Sequence, residues 1–436
     1  MRDSLHALSP LDGRYFQTTK VLRSYFSEYA LIQKRVEVEV KYFLALSEQG
    51  LPELGDISTS FREALEKIPL SFDSEDALRI KEIESEIRHD VKAVEIFLQE
   101  KIDAMDETVV EGNRDLYKAF VHFGLTSQDI NNTAIPLLLK DSFEKLFSSL
   151  LDELLEDLVQ KSKKWKNLRM LARTHGQPAT PTLLGREIEV FYVRLKGQVD
   201  ELKKTTFYGK FGGATGGMDA HFFAYPNVDW HSFAEKFLDG LGLKRSYPTT
   251  QIEHYDHLAS FLDRWCRVHT ILMDLAQDVW LYISLDYFHL KVFEKEVGSS
   301  TMPHKINPID FENAEANLGI ARNLCTYLSS SLPISRWQRD LRDSTILRNL
   351  GVCFGHSLVA LKGLQRGLSR IEPHENRLRE DLQKHSKVLA ETIQTTLRKK
   401  GDPRAYDTLK ALTRTNGEEG KKKLLDFVNT DRKSVG

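Results

Sequence analysis

The residues with the most chemical potential lie between Gly298 and Pro308, in the run GSSTMPHKINP. Two adjacent hydroxyls (Ser299, Ser300), a cation (Lys305) and a closing Asn307-Pro308 fall within it. Gly298 lets the backbone bend, and Pro303 and Pro308 stop a preceding helix from continuing. Pro308 also suits the first position of a new helix, whose free N–H groups attract an anion. A serine hydroxyl is ordinarily a hopeless base. Donors and the nearby Lys305 that stabilise its alkoxide would let Ser299 remove a carbon-bound proton. A bare Gly-Ser-Ser would read as a connector, but a run of this composition reads as a loop built for use.

Other loops carry matching chemistry. Thr174-His175-Gly176-Gln177-Pro178 gives His175 a constrained neighbourhood, and an imidazole can give or take a proton near neutral pH. In HFGLTSQDINN, from His122 to Asn132, Asp129 or the asparagines are expected to cap the following helix. That leaves Thr126 and Ser127 free for a ligand. Gln251, in TTQIEHYDH, adds an amide. Arg14 and Tyr15 sit in a DGRY turn, and Arg88-His89-Asp90 lies inside a stretch that reads as one helix from Asp76 to Lys101. Taken alone, both read as solvated surface. No HExxH is present, and His254 and His257 have only acidic or aromatic company, so metal ligation is not expected. No GxSxG elbow supports a serine hydrolase. Hydroxyls, histidines, a lysine, an amide and arginines together suit proton transfer on an anionic substrate.

Helices must position these loops. An amphipathic stripe runs through Ile135, Leu139, Phe143, Leu146, Leu150, Leu154 and Leu158. A second runs from Leu184 to Leu202, and a third from Leu258 to Tyr282 in a stretch without glycine or proline from His257 to Val297. Earlier, Phe26 to Ser47 reads as helix; later, Asp310 to Leu328 and Ser344 to Leu368 do. Few strand signals intervene, so the fold class is all-α, an elongated chain built on a long-helix bundle. Wide stripes on long helices favour a homo-oligomer with a multi-chain helical core. The run YGKFGGATGG, from Tyr208 to Gly217, reads as a flexible loop and lacks the context of a dinucleotide fingerprint. Three domains are expected, at residues 1–115, 116–368 and 369–436. The last is shorter in pattern, with Lys421-Lys422-Lys423 as a solvated face.

Composition bounds the partners. At 436 residues, 41% hydrophobic, 28% charged and a net charge of −2, the chain has a globular balance and no basic footprint for nucleic acid or anionic membrane. No apolar run approaches the roughly 20 residues of a membrane span. Cys266, Cys325 and Cys353 are far apart in apolar helical patterns, so buried free thiols and a reducing, cytoplasmic location are expected.

These motifs add up to a resemblance. GSSTMPHKINP resembles the signature loop of the fumarase/aspartase superfamily of lyases. DGRY, RHD, LTS at Leu125, THGQPAT, TTQIE and above all SRWQRDLRDSTILRN, from Ser335 to Asn349, resemble its adenylosuccinate lyase branch. The likeness runs from residue 9 to about residue 420. It implies a three-domain, all-helical homotetramer with a central bundle of long helices. Each site would be assembled from three subunits, without cofactor or metal. The family cleaves adenylosuccinate to AMP and fumarate, and SAICAR to AICAR and fumarate, in purine biosynthesis. Carried over by position, Ser299 would be the base and His175 the acid that protonates the departing nitrogen. Thr126, Ser127, Gln251, Ser300, Lys305 and Asn307 would meet the succinyl carboxylates. Arg14, Tyr15, Arg339, Ser344 and Arg348 would meet the nucleotide and its phosphate. His89 would lie near the phosphate and His122 near the site. Arg88, Asp90, Asn313 and Thr345 complete the set expected to bind substrate. Arg88 departs from the asparagine common in the family, and the C-terminal segment is shorter than the family implies. The nearest rival, argininosuccinate lyase, would have no use for Arg14, Arg339 and Arg348. A non-catalytic scaffold, as in lens crystallins that reuse this fold, would not keep Ser299, His175 and Lys305 together.

Overall fold

The apolar stripes become long helices. Leu184–Lys203, Asp256–Ser284, Ile309–Ser331 and Leu350–Arg370 run 20, 29, 23 and 21 residues in the computed structural model. It describes residues 4–292, 302, 304–414 and 426–427; Ser299, Ser300 and Lys421-Lys422-Lys423 lie outside the described residues. The described strands form three two-stranded sheets, so the chain is all-α as expected. No described helix is long and apolar enough to cross a membrane. The chain divides into two compact units. One comprises residues 1–152, 197–273 and 313–363, and the other residues 153–196, 274–312 and 364–436.

In the first unit, Ser27 caps helix Glu28–Ser47, its Oγ accepting from the Ala30 N–H at 3.1 Å. The helix stripe after Ser127 departs from the simple period. A π-turn over Phe143–Phe147 inserts an extra residue, so Phe143 and Phe147 both face the core while Leu146 is half-buried. Those two rings pack with Phe261, Trp265 and Phe354, and Trp265 Nε1 donates to Ser357 Oγ at 3.1 Å. Each such fully buried large side chain contributes roughly 1.5–3 kcal/mol.

Pro136, inside helix Ser127–Ser142, has no N–H to give the carbonyl four residues earlier. That carbonyl, on Asn132, accepts instead from the Lys210 N–H at 3.4 Å. The run from Tyr208 is therefore not the flexible loop expected. Its first residues form strand Tyr208–Gly209, paired with Lys244–Arg245, and the Lys210 side chain is fully buried.

Three expected helices are interrupted. Asp76 to Lys101 is two helices, Ser74–Ile87 and Asp90–Asp103, because Arg88 turns left-handed (φ 55°) and His89 caps the second, its Nδ1 accepting from the Lys92 N–H at 3.0 Å. The third stripe stops at Ser284. Asp286 is left-handed (φ 60°), and Phe288–Leu290 leaves as a strand paired with Ile371–Pro373. Ser344 to Leu368 breaks between Arg342–Leu347 and Leu350–Arg370. The cysteines differ too. Helices Ile309–Ser331 and Leu350–Arg370 bring Cys325 and Cys353 together as a disulfide with Cα atoms 6.3 Å apart, leaving Cys266 as the free thiol. Only adjacency of the two helices, not the spacing of 28 residues, makes that pairing possible.

In the second unit, ARTHGQPATPT is not a loop but a hairpin, Arg169–Thr174 against Gln177–Leu183. The C-terminal helices Ala390–Lys399 and Ala405–Thr413 bury a small core of Leu397, Ala405 and Leu409, flanked by Ile393, Leu412 and Phe427.

Candidate functional site

The first unit holds a cleft of about 210 Å³ whose polar lining includes Arg35, Asp90, Gln128, Asn131, Ser344 and Arg348. Asp90 starts helix Asp90–Asp103, and Arg35 reaches it from helix Glu28–Ser47. Arg35 Nη2 donates to Asp90 Oδ2 at 2.6 Å and its Nε to Asn131 Oδ1 at 2.8 Å, with the Arg35 side chain 3% exposed. Burial alone would raise the Asp90 carboxyl. Arg35 and the Val91 N–H outweigh it and hold Asp90 below the usual carboxylate range. Arg348 Nη2 stands 3.9 Å from the same Oδ2, its side chain half in solvent. Gln128 Nε2 donates to Ser344 Oγ at 3.4 Å and Asp343 Oδ2 at 3.3 Å. The cleft thus offers a fixed carboxylate, a guanidinium fork with free donors and a hydroxyl at one opening.

The other expected residues of the unit are not part of that lining. Asn313 Nδ2 donates to the Tyr15 hydroxyl at 3.0 Å, joining residues 298 apart, while Arg14 beside it is exposed. Arg88 and His89 are exposed at the junction of their two helices, and Thr345 is exposed beside Ser344. His122, left-handed at φ 58°, places Nδ1 2.5 Å from Glu39 Oε1. Burial would depress the imidazole, but the Glu39 carboxylate prevails and His122 is raised above the ordinary histidine value. Thr126 caps helix Ser127–Ser142, and Asp129 Oδ2 accepts from its N–H at 2.8 Å. The expected asparagine caps have other duties, Asn131 on Arg35 and Asn132 Oδ1 accepting from the Glu253 N–H at 3.0 Å. Gln251 Nε2 donates to the Ala214 carbonyl at 3.0 Å, which aims its Oε1 at Arg339 Nη1, 3.1 Å away. His254 and His257 are occupied structurally. The first hydrogen-bonds Ser246 Oγ at 3.0 Å, and the second stacks on Tyr208 at 3.6 Å between ring centroids.

In the second unit His175 and Gly176 form the two-residue tip of the hairpin, both left-handed (φ 53° and 73°). This is the backbone that a tight hairpin turn requires, and it presents the imidazole to solvent. The hairpin is held from below. Arg173 Nη2 donates to Asp381 Oδ2 at 2.9 Å, and the Tyr287 hydroxyl donates to the same oxygen. Burial and the Asp381 carboxylate push the Tyr287 phenol up to about 12. Lys305 is exposed, its N–H donating to the Met302 carbonyl at 3.0 Å, and Asn307 is half-buried just before helix Ile309–Ser331. The proposed base, Ser299, and its neighbour Ser300 lie outside the described residues.

Sequence reasoning passed over Arg35, Glu39, Gln128 and Lys210, all buried, and read Asp129, also buried, only as a helix cap. One signal was available. Arg35 and Glu39 lie four apart on a helix whose other inward residues, Ser47 at its end apart, are aliphatic or aromatic, so each charge faces the core and needs a partner there.

Residues 13–322 match a family model described as lyase, and residues 335–434 one described as adenylosuccinate lyase C-terminal. The chain is similar to the adenylosuccinate lyase of Dictyostelium discoideum, with 51% identity over 96% of this chain and 90% of that one. It is similar also to that of Escherichia coli (strain K12), with 43% identity over 97% and 92%. In fold it resembles a fumarate lyase from Mesorhizobium sp. BNC1 (TM-score 0.71, 20% identity, covering 90% of this chain and 85% of that one). A 3-carboxy-cis,cis-muconate lactonizing enzyme from Pseudomonas putida is alike to the same degree (TM-score 0.71, 23% identity, 90% and 85%).

Proposed function

The chain belongs to the adenylosuccinate lyase family, and from that membership we propose that it cleaves adenylosuccinate to AMP and fumarate, and SAICAR to AICAR and fumarate. The observation that carries this reading is 51% identity to a curated adenylosuccinate lyase over nearly the whole chain. In the reaction Ser299 takes the proton from the carbon beside a succinyl carboxylate. The electron pair left behind forms the carbon–carbon double bond as the carbon–nitrogen bond breaks, and His175 protonates the departing nitrogen. The intermediate carbanion is an aci-carboxylate, so donors aimed at that carboxylate lower the barrier. Thr126, Ser127, Gln251, Ser300, Lys305 and Asn307 are the donors assigned to it. The elimination is complete in atoms and electrons without a cofactor or metal.

The cleft supports the nucleotide half of this assignment. Asp90 is held as an acceptor by Arg35, and the Arg348 fork and Ser344 hydroxyl stand at the same opening, a combination that suits a sugar hydroxyl beside a phosphate. Arg14, Tyr15 and Arg339 are assigned to the nucleotide with them, and Arg88, His89, His122, Asn313 and Thr345 complete the proposed substrate set. The working enzyme is a cytoplasmic homotetramer whose sites combine several subunits. Its functional segments are 1–115, 116–368 and 369–436. Neither nucleic acid nor membrane is a partner.

The test is ultraviolet absorbance of purified protein mixed with adenylosuccinate, with products identified by chromatography. AMP with fumarate is the expected result. Turnover of argininosuccinate instead would overturn the assignment of the arginines, and turnover of neither would return the scaffold reading.

A further inference from the structure

Three residues of the first unit assigned to substrate, Thr126, Gln251 and Arg339, are linked through a buried ion pair by two sets of hydrogen bonds that meet across the Gly213–Ala214 peptide. Lys210 and Asp129 are each fully buried, with Lys210 Nζ 2.8 Å from Asp129 Oδ1. The same Nζ donates to the Gly213 carbonyl at 2.6 Å. Asp129 accepts from the N–H groups of Gly212 at 2.8 Å and Gly213 at 3.1 Å, besides that of Thr126 at 2.8 Å. One carboxylate therefore ties the start of helix Ser127–Ser142 to the glycine-rich run. Next in that run, the Ala214 carbonyl holds Gln251 Nε2, and Gln251 Oε1 holds Arg339.

Close backbone approach reinforces the tie. Gly216 is left-handed (φ 90°), and a Cβ there would stand 2.2 Å from the Thr249 carbonyl oxygen, two residues before Gln251. The run is pressed directly against the segment that delivers the amide. A buried lysine is costly by desolvation, and burial pushes Lys210 below the ordinary lysine value in spite of Asp129, helped by the Arg339 and Arg245 cations. Neutralising Asp129 alone would not require the second bond to Gly213.

We infer that Lys210 is a positioning residue that, through Asp129 and Gly213, sets the helix start at Thr126-Ser127 and the Gln251 amide in register for the carboxylates of the substrate. The inference rests on the activity proposed above. Arg339, assigned to the nucleotide, hangs on this set through Gln251, but Asp90 is held by Arg35 and Arg348 stands against Asp90, so the nucleotide end depends on Lys210 less than the dicarboxylate end.

The experiment compares inhibition by fumarate and by AMP in the wild-type protein, in Lys210→Met, and in the Asp129→Asn/Lys210→Met double variant. The double variant leaves no unpaired buried charge, so it keeps a readout if the single variant fails to fold. It retains an amide oxygen at position 129 but not the Nζ link to Gly213. The expected result is fumarate inhibition weakened roughly tenfold or more while AMP inhibition stays within about threefold, the size of losing one charge-assisted contact at one end of the ligand. Wild-type turnover with fumarate and AMP shifted equally, or with the double variant indistinguishable from wild type, overturns the positioning role alone. Wild-type protein without turnover overturns the activity and this inference with it.

Discussion

Replacing His122 by phenylalanine strips the Glu39 carboxylate of its partner in a place where solvent cannot compensate. The Glu39 side chain is 0% exposed and its Oε2 already has no hydrogen-bond partner among the described residues, while His122 is 15% exposed. Breaking a buried pair by removing one partner costs about 3–5 kcal/mol, and the exposed edge of the imidazole puts this case near the lower end, about 3 kcal/mol. Adding Glu39→Gln removes the stranded charge and recovers all but about 1 kcal/mol; with Glu39→Gln alone costing about 1 kcal/mol, the double-mutant cycle gives a coupling of about 3 kcal/mol. The pH dependence is equally specific. The His122 value is raised in the folded chain, so folding takes up a proton. The resulting stability is complete below the unfolded histidine value of about 6.5 and is lost as pH rises through the folded one, at no more than about 1.4 kcal/mol per pH unit. Urea titrations of the four proteins at fixed concentration, at about pH 6 and pH 9, measure both quantities. A coupling below about 0.5 kcal/mol, or an alkaline loss as steep in His122→Phe as in wild type, would refute the reasoning.

Two further outcomes test the proposed chemistry and the packing of the glycine-rich run. His175→Ala and Ser299→Ala should each lower turnover by about a hundredfold to ten-thousandfold while leaving the assembly intact by light scattering; near-wild-type activity in either removes that residue from the mechanism. Gly216→Ala, which meets the Thr249 carbonyl at 2.2 Å from a left-handed backbone, should destabilise the protein by more than about 1 kcal/mol. A thermal melt unchanged from wild type would mean that the glycine-rich run moves aside at no cost.

The long helices were legible because their burial follows a period that sequence displays directly; Leu184–Lys203 ends within a residue or two of the stripe that announced it. The interruptions were not, because Arg88 and Asp286 adopt left-handed conformations that no glycine advertises. The hairpin at His175 was hidden although Gly176 marks a turn. Its tip carries histidine where asparagine or aspartate would have signalled a turn, and Pro178 and Pro181 sit in its second strand. Among the residues proposed for the site, the residue types in DGRY and SRWQRD were readable. That Tyr15 meets Asn313 was not, for 298 residues separate them. The framework charges were the hardest part. Arg35, Glu39, Asp129 and Lys210 belong to types that are almost always exposed, and only their partners in space explain why they are inside.

The hairpin's anchor has a genetic consequence. His175 takes its place from the Arg173–Asp381 pair, whose members are 208 residues apart, and from Tyr287, which shares that carboxylate. With His175 in the role proposed above, alleles that lose activity map beyond the proposed ligand loops as well, to Asp381 and Tyr287. A second-site change that swaps the charges at positions 173 and 381 is the suppressor to select for.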